Sequence, residues 1–359
     1  MMTNRKVAVY GAYGHTGRFV VSELLERSWD PRLCGRDVDK LKALAAASGG
    51  LDFAEASTDV PASLDRALLG AAAVINCAGP FARTAEPMIE AALRAPIPYL
   101  DIGAEIEVVV ADFERYSEPA RRENVIVLPA MAFYGGLGDL LATAAMHDWT
   151  AADELSIAYA LSSWQPTRGT RATIAVSTER RNGRRVVFSD STLRFVTGDP
   201  PMTQWTFPEP LGAQPVVGEF TTADTVLIAH HLKTAHIRSF MTTAPLSDLS
   251  GEALPSPAPS DQSQRSSQTF LVEVVARLGS VERRAIARGR DIYAISAPLV
   301  VEAMRRVLTE SNPRGGVFAP GELFDSRDFL TSLAPDHLVV DFSEQDSSKT
   351  TDPVRPHSD

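Results

Sequence analysis

Three glycines, spaced three residues apart, follow the first apolar stretch of the chain. Lys6 to Tyr10 has the short apolar pattern of a buried strand, and Gly11, Gly14 and Gly17 come directly after it. Apolar residues at helical spacing over Thr16 to Arg27 then predict a helix. Glycine at these points allows a sharp turn and lets backbone N–H groups at the helix start approach a phosphate. The feature therefore predicts a dinucleotide-binding βαβ unit; the alternative is an ordinary turn marked by glycine.

The segments that follow keep alternating between short apolar runs and helix-like runs up to residue 130. Buried strands separated by helices of about 10–15 residues are typical of parallel sheets. We therefore predict an α/β protein in which residues 1–130 form a Rossmann-like, doubly wound parallel sheet. Right-handed crossovers would bring the loops that follow the strands to one edge of that sheet, where ligands bind.

From residue 131 onward, alternating strand patterns replace the strand–helix repeat. Residues 131–342 are predicted to form a second, α+β domain with a mixed or antiparallel sheet, for substrate binding and dimerisation. Within it we expect a strand at Val226 to Ala229 and a mobile surface loop at about 250–268. A last helix is expected at about 298–308. Packing of this helix against the first domain is one of its alternatives. The polar residues 343–359 are expected to form a disordered tail.

Composition and charge disfavour several classes of protein. The chain has 35 Lys and Arg residues against 45 Asp and Glu, a formal charge of −10 without any basic block, which disfavours nucleic acid binding. Its two cysteines, Cys34 and Cys77, lie in apolar stretches and fit a reducing compartment better than a disulfide. No apolar stretch approaches the roughly 20 residues of a membrane helix, and the N-terminus makes a poor signal peptide. We expect a cytoplasmic protein that binds neither nucleic acid nor membranes.

The end of the second predicted strand distinguishes the two nicotinamide cofactors. NAD-binding folds place an acidic residue there for the ribose hydroxyl, whereas this chain has Gly35, Arg36 and Asp37, with Lys40 one turn later. A guanidinium suits a 2′-phosphate because it combines a permanent charge with a planar set of donors. Arg36 and Lys40 therefore predict NADP(H) as the cofactor. The alternative is a solvated Arg36 beside a helix that Asp37 caps.

Two further loops should reach the same edge of the sheet. Small residues at the end of the fourth strand would let the cofactor cross that edge, and Asp101 and Glu105 follow the fifth strand. The two carboxylates could position a substrate or relay protons; capping the next helix is an equally good alternative. In the loop after the first strand, the predicted cofactor contacts are Gly11, Tyr13, Gly14, His15, Thr16 and Gly17. In the loop after the fourth strand, they are Asn76, Ala78, Gly79, Pro80 and Phe81.

Two more side chains are candidates for catalysis. Tyr134 stands in a glycine-rich turn that joins the domains, where its hydroxyl could reach a substrate; a simple hinge is the alternative. His231 is a candidate general acid because imidazole titrates near neutral pH. A metal site is not expected, since the neighbouring histidines lack further ligands and would point to opposite faces of a strand. No tyrosine is followed four residues later by lysine, which disfavours the short-chain dehydrogenase mechanism.

Four segments carry a resemblance to a known family: GAYGHTGR at 11–18, LCGRDVDKL at 33–41, VINCAGPF at 74–81 and YLDIGAE at 99–105. Together they resemble the saccharopine dehydrogenase-like, NADP-binding oxidoreductases, most closely the branch of trans-acting enoyl reductases. GRDIY at 289–293 and GVFAPG at 316–321 are similar to that branch as well. The resemblance implies an NADP-binding Rossmann domain, a mixed-sheet second domain that helps to form the substrate cleft, and often a homodimer.

These features lead to an NADPH-dependent oxidoreductase that transfers a hydride to a C=N, C=C or C=O bond of a small organic or biosynthetic-intermediate substrate. A substrate bound to a carrier protein is one possibility. The alternative is an NADP-sensing regulatory or partner-binding protein without hydride transfer, because no clear acid–base pair stands out in the sequence.

Overall fold

The computed structural model describes residues 5–248, 257–260, 264–310 and 315–346. Strands and helices alternate through the first 130 residues, in the order β1 (Lys6–Tyr10), α1 (His15–Glu26), β2 (Asp30–Gly35), α2 (Val38–Ala47), β3 (Phe53–Glu55), α3 (Pro61–Leu68), β4 (Ala73–Asn76), α4 (Phe81–Arg94), β5 (Tyr99–Asp101), α5 (Ile106–Glu123) and β6 (Ile126–Leu128).

A π-helical turn at Phe133–Leu137 leads into the rest of the described chain. Its elements are α6 (Gly138–Met146), β7 (Ala152–Leu161), α7 (Arg168–Arg180), β8 (Arg185–Ser189), β9 (Thr192–Val196), β10 (Met202–Thr206), β11 (Ala213–Gly218), α8 (Ala223–His231), β12 (Thr234–Thr242), α9 (Ala244–Ser247), β13 (Thr269–Leu278), β14 (Val281–Arg290), α10 (Ser296–Thr309), β15 (Gly316–Val317), α11 (Pro320–Leu323), α12 (Ser326–Ser332) and β16 (Leu338–Asp346).

The first sheet has seven parallel strands in the order β15–β6–β5–β4–β1–β2–β3. The strand order reverses at β1, which has β2 on one side and β4 on the other. The loops that follow β1 and β4 therefore open a crevice at the carboxyl edge of the sheet, where open α/β sheets bind ligands. This topology confirms the predicted doubly wound parallel sheet. The chain returns to it through β15 after building the second sheet.

The second sheet contains both parallel and antiparallel strand pairs, which confirms the mixed sheet predicted for the second domain. Its strands β10–β11–β12–β7–β13–β14–β16 form one path, β8 pairs with β12, and β9 pairs with β8; among the described strands of this sheet only β12 and β7 pair in parallel. The strand expected at Val226 to Ala229 is wrong: these residues lie in α8, because a short apolar run does not distinguish a strand from a buried helix. Residues 343–346 belong to β16, which pairs with β14, and not to a disordered tail; residues 347–359 lie outside the described part.

Helix α10 connects the two sheets. It packs against α1 on one face of the first sheet, and Arg27 Nη1 donates to Glu302 Oε2 at 2.7 Å across that contact. Part of the loop expected to be mobile is also anchored, since the backbone N–H of Ser266 donates to Asp291 Oδ2 at 2.7 Å; residues 249–256 and 261–263 lie outside the described chain. None of the described helices is long and apolar enough to span a membrane.

Candidate cofactor and substrate site

Each glycine in the loop after β1 meets a different steric demand. Gly11 has a φ of +81°, and a Cβ there would stand 2.9 Å from the backbone N of Ala78. A Cβ at Gly17 would overlap the Gly11 carbonyl oxygen, so only glycine lets α1 pack this tightly on the loop. At Gly14 a Cβ would meet the Gly11 oxygen at 3.1 Å and the Cys77 oxygen at 4.0 Å and otherwise enter open space. Open space at this point is what the close approach of a phosphate requires.

The start of α1 has the features of an anion site. Gly14 is its N-cap residue, no side chain in the described chain caps it, and its first turn contains no acidic residue. The first N–H groups of a helix lack partners within the helix and carry partial positive charge. This end of α1 therefore fits the pyrophosphate of a dinucleotide. The His15 ring packs edge-on against Phe19 and Tyr293, and burial lowers its pKa, which favours a neutral ring.

Arg36 is exposed at the end of β2 and makes no ion pair or hydrogen bond among the residues that the structure describes. Lys40 is already engaged: its Nζ lies 2.7 Å from Asp37 Oδ2 and 5.6 Å from the centroid of the Tyr13 ring. Asp37 also caps α2 by accepting the N–H of Lys40 at 3.1 Å. The Tyr13 ring covers Gly35, where a Cβ would stand 2.7 Å from its Cε1. Within the described residues, Arg36 thus has no ion-pair partner, whereas Lys40 is paired with Asp37.

The loop after β4 is organised from below by Asn76, which is fully buried. Its Oδ1 accepts the N–H of Ala78 at 3.0 Å, and its Nδ2 donates to Thr84 Oγ1 and Tyr99 Oη, both at 3.2 Å. The side chain therefore shapes the loop and does not face the crevice, contrary to its predicted cofactor contact. Ala78 presents its backbone to Gly11, and Pro80 is the N-cap residue of α4.

The two carboxylates that follow β5 both bind backbone groups. Asp101 Oδ1 accepts the N–H groups of Gly103 and Ala130 at 2.7 and 2.8 Å, and Oδ2 accepts the Tyr99 hydroxyl at 2.9 Å. Glu105 Oε1 and Oε2 accept the N–H groups of Phe81 and Ala82 at 2.7 and 2.8 Å, at the start of α4. Both side chains are only 2% exposed. These contacts give both carboxylates a structural role, but not the expected one: neither caps α5, since Asp101 holds two loop N–H groups and Glu105 caps α4 instead.

Replacing Glu105 by glutamine tests the capping role. Glutamine keeps one acceptor oxygen, so one of the two N–H groups at the start of α4 loses its partner, and we expect the free energy of unfolding to fall by about 1–3 kcal/mol. Chemical denaturation measures this, with Glu114→Gln on the exposed face of α5 as the control. An unchanged stability combined with a lost limb in the pH profile of kcat would instead return Glu105 to a proton-transfer role.

A small pocket lies beyond the carboxyl ends of β1, β4 and β5. We call it the aromatic pocket, because Phe81, Phe133, Tyr134, Trp164 and Tyr293 contribute to its walls; its volume is about 150 Å³. Thr16 of α1 also lines it, so it adjoins the glycine loop. The other polar side chains that line it carry a hydroxyl or thiol group: Cys77, Thr167, Thr170, Thr173 and Ser296.

Of the four candidate catalytic residues, Tyr134 alone lines the aromatic pocket. Its hydroxyl is buried and finds no hydrogen-bond partner in the described part of the chain. Burial, followed by the proximity of Tyr293 and Asp224, raises the pKa of Tyr134 well above its ordinary value. The hydroxyl therefore stays protonated at neutral pH and is an available donor.

His231 lies elsewhere, in the last turn of α8. Its Nε2 is 2.8 Å from Oδ1 of the buried Asp139, whose Oδ2 accepts the N–H of Gly321 at 2.6 Å. Burial opposes protonation of this imidazole, but the Asp139 carboxylate outweighs it and raises the pKa of His231. The pair joins α6, α8 and α11 and does not reach the aromatic pocket. Within the described residues, no three His, Cys, Asp or Glu side chains are grouped to hold a metal ion.

Helix α7 and Tyr293 complete the pocket, and neither is a candidate site in the sequence. The Tyr293 hydroxyl lies 3.1 Å from Thr170 Oγ1 and 3.3 Å from the backbone N of Thr167. At its other end α7 reaches the first domain, where Arg180 Nη2 donates to the carbonyl oxygen of Ala82 at 3.0 Å. In the sequence, Tyr293 is marked by its place in the GRDIY segment, which is part of the family resemblance.

A larger cavity of about 1050 Å³ lies along the outer side of α1. Its walls include Arg18, Glu23 and Glu26 of that helix and the end of β14, and none of the residues that directly follow β4 or β5. Because ligands of open parallel sheets bind beyond the strand ends, the smaller aromatic pocket is the better candidate for the reaction site.

Comparison with known proteins agrees with this geometry. Residues 11–100 match a family model described as NAD(P)H-binding. Saccharopine dehydrogenase-like oxidoreductases of Homo sapiens and Bos taurus are 30% and 29% identical over 145 residues, which is 35% of this chain and 34% of theirs. A trans-acting enoyl reductase of Mycobacterium ulcerans (strain Agy99) is 25% identical over 134 residues, 36% of this chain and 32% of that protein. The similarity thus spans about a third of the length of each of these relatives.

The fold comparison extends over nearly the whole chain. An apo, histidine-tagged saccharopine dehydrogenase (L-Glu forming) from Saccharomyces cerevisiae superimposes with a TM-score of 0.66, covering 95% of this chain and 100% of that one. At 10% sequence identity this similarity shows the fold alone. The chain therefore has the fold of saccharopine dehydrogenase, and its first domain is an NAD(P)H-binding domain similar to those of the saccharopine dehydrogenase-like oxidoreductases.

Proposed function

We propose that this protein is an NADPH-dependent reductase of the saccharopine dehydrogenase-like type, near the trans-acting enoyl reductases. Its substrate would be a small organic or biosynthetic intermediate whose C=N, C=C or C=O bond lies in the aromatic pocket. One observation carries the proposal: the pocket adjoins the glycine loop and is lined by Tyr134, whose buried hydroxyl has no hydrogen-bond partner in the described part of the chain. A hydride acceptor and a proton donor could therefore meet beside the loop that fits the cofactor.

The roles of the residues follow from their positions. The glycine loop and the first N–H groups of α1 would hold the pyrophosphate, and Arg36 would pair with the 2′-phosphate. NADPH, when bound, supplies a hydride. Tyr134 would donate its proton to the atom that becomes negatively charged as the substrate is reduced. The aromatic walls would exclude water from the reacting atoms and strengthen that hydrogen bond.

The direct test is turnover. Purified protein is mixed with NADPH and a panel of ketones, enones and imines, and loss of the reduced-nicotinamide absorbance is followed together with product formation. Turnover of at least one compound class supports the proposal. Tight NADPH binding without turnover of any class would favour the alternative of an NADP-sensing protein.

Replacing Arg36 by alanine tests the choice of cofactor. Loss of a charge-assisted hydrogen bond should weaken NADPH binding by roughly 1–3 kcal/mol and leave NADH binding nearly unchanged, because NADH has no 2′-phosphate. Titrations of both cofactors measure this, with Arg122→Ala, an exposed arginine on α5, as the control. Equal losses for both cofactors would contradict the role of Arg36, and a native protein that binds NADH as tightly as NADPH would contradict the cofactor preference.

A further inference from the structure

We propose that the aromatic pocket selects an electrically neutral substrate with a carbonyl-type oxygen, such as a ketone or an enone, and rejects molecules with a carboxylate or an ammonium group at the reacting end. The inference rests on the proposed function and narrows its substrate class.

The first support is the absence of charge in the lining. Among the described residues that line the pocket there is no Asp, Glu, Lys, Arg or His. An ion transferred from water into such a site without a counter-charge pays a large desolvation penalty, whereas a carbonyl pays a much smaller one that a single hydrogen bond offsets.

Two buried carboxylates close to the lining, Asp224 and Glu105, are also committed to other partners; Asp224 accepts the Tyr159 hydroxyl. Both oxygens of Glu105 accept backbone N–H groups at the start of α4, and its carboxylate also interacts with the Thr173 hydroxyl behind the pocket wall. This buried negative charge would repel an anionic substrate. Both of its oxygens already bind donors, and it does not line the pocket, so it does not offer a substrate ammonium group a direct partner there.

Besides the start of α1, where the cofactor pyrophosphate would lie, the first turn of α7 could attract an anion, because it lines the pocket with Thr167, Gly169 and Thr170. Its N-cap is occupied, however: Thr167 Oγ1 accepts the N–H of Thr170 at 3.1 Å. The Thr170 hydroxyl is in turn bonded to Tyr293 at 3.1 Å. The hydroxyl of Tyr134 remains without a partner. Neutral donors in uncharged surroundings match a neutral acceptor better than an ion.

The test measures binding and needs no turnover. Cyclohexanone and its ring-carboxylated and ring-aminated analogues are titrated into the protein, without cofactor and saturated with NADP⁺, and ligand-observed NMR gives the Kd values. We expect cyclohexanone to bind at least about tenfold more tightly than either charged analogue. Equal or tighter binding of a charged analogue, or no binding of cyclohexanone in either state, would overturn the inference.

A pair of variants ties the preference to this pocket. Thr170→Lys adds an ammonium group at the lining, so the carboxylated analogue should gain at least about tenfold in affinity. Ile174→Lys adds the same charge one turn further along α7, at a side chain that is 41% exposed and outside the pocket, and should change nothing. Equal effects of both variants would show that the pocket does not set the preference.

A failure of this inference can be distinguished from a failure of the proposed function. If NADPH is oxidised but the charged analogues bind best, the neutral-substrate inference fails alone. If the neutral preference holds but no compound is reduced, the proposed reductase activity fails alone.

Discussion

Replacing Tyr134 by phenylalanine should lower kcat by about 10²- to 10⁴-fold, the range over which a positioned general acid acts. The substitution removes only the hydroxyl. The ring keeps its contacts with Phe133, Tyr159 and Trp164, whose centroids lie 4.8, 5.1 and 5.5 Å away. The affinity for NADPH should stay unchanged. Steady-state kinetics and cofactor titration on the same preparation measure the two effects separately.

Tyr116→Phe is the matched control, because Tyr116 is buried in α5 and does not line the pocket. It should leave kcat within about twofold of the native value, as expected for a residue that does not contact the reacting atoms. A similar kcat for native protein and Tyr134→Phe would remove Tyr134 from the chemistry. In that case a water molecule would have to supply the proton.

The pH profile distinguishes a tyrosine donor from the other candidates. A general acid acts only while protonated, and burial raises the pKa of Tyr134 well above 10.0. The rate should therefore show no fall below pH 10 from loss of this proton. A histidine such as His231 would lose its proton much earlier and produce a descending limb closer to neutral pH.

The parts of the site that the sequence predicts well are those set by local backbone demands. A phosphate can approach the loop because Gly14 has no Cβ, and α1 can pack on Gly11 because Gly17 has none. A requirement for glycine is visible in the sequence itself. The parallel sheet was predictable for a similar reason, since a strand covered by helices on both faces must be largely apolar, as Ala73, Val74 and Ile75 of β4 are.

The roles of the carboxylates were not predictable, because catalysis and capping place an acidic residue at the same position in the chain. Asp101 and Glu105 both follow β5, as either role requires, and only the partners of their oxygens distinguish the two. Those partners include Ala130, 29 residues after Asp101, and Phe81, 24 residues before Glu105. No local pattern encodes contacts at such separations.

The far wall of the pocket shows the same limit. Trp164 and Tyr293 are brought together by the pairing of β7 with β13 and of β13 with β14, so that Trp164 Nε1 lies 3.4 Å from Tyr293 Oη. The two residues are 129 positions apart in the chain, so no local sequence pattern indicates this contact. His231 is a candidate in the sequence because imidazole titrates near neutral pH, a property that does not depend on position; at the end of α8 it faces Asp139.

Replacing Gly14 and Gly17 by alanine, one at a time, should separate cofactor binding from folding. Gly14 has an extended backbone conformation that alanine adopts, with a φ of −66° and a ψ of 166°, and its Cβ would meet only one protein atom closely. The methyl group would stand where the pyrophosphate must approach. We expect the free energy of unfolding to change by less than about 1 kcal/mol, and the NADPH affinity to fall about 100-fold, equivalent to losing one or two charge-assisted hydrogen bonds.

Gly17→Ala should show the opposite balance. Its Cβ would overlap the Gly11 carbonyl oxygen and stand 3.0 Å from that of Ala12, and because both are backbone atoms, α1 must shift away from the loop. Overpacking of this kind costs about 1–3 kcal/mol of stability, and NADPH binding should weaken only as far as the displaced helix start loses its contacts. Chemical denaturation and NADPH titration of both variants, with Ser22→Ala on the exposed side of α1 as the control, measure the two quantities. If Gly14→Ala binds NADPH as tightly as the native protein does, the pyrophosphate does not lie on this loop, and the cofactor site must be sought elsewhere.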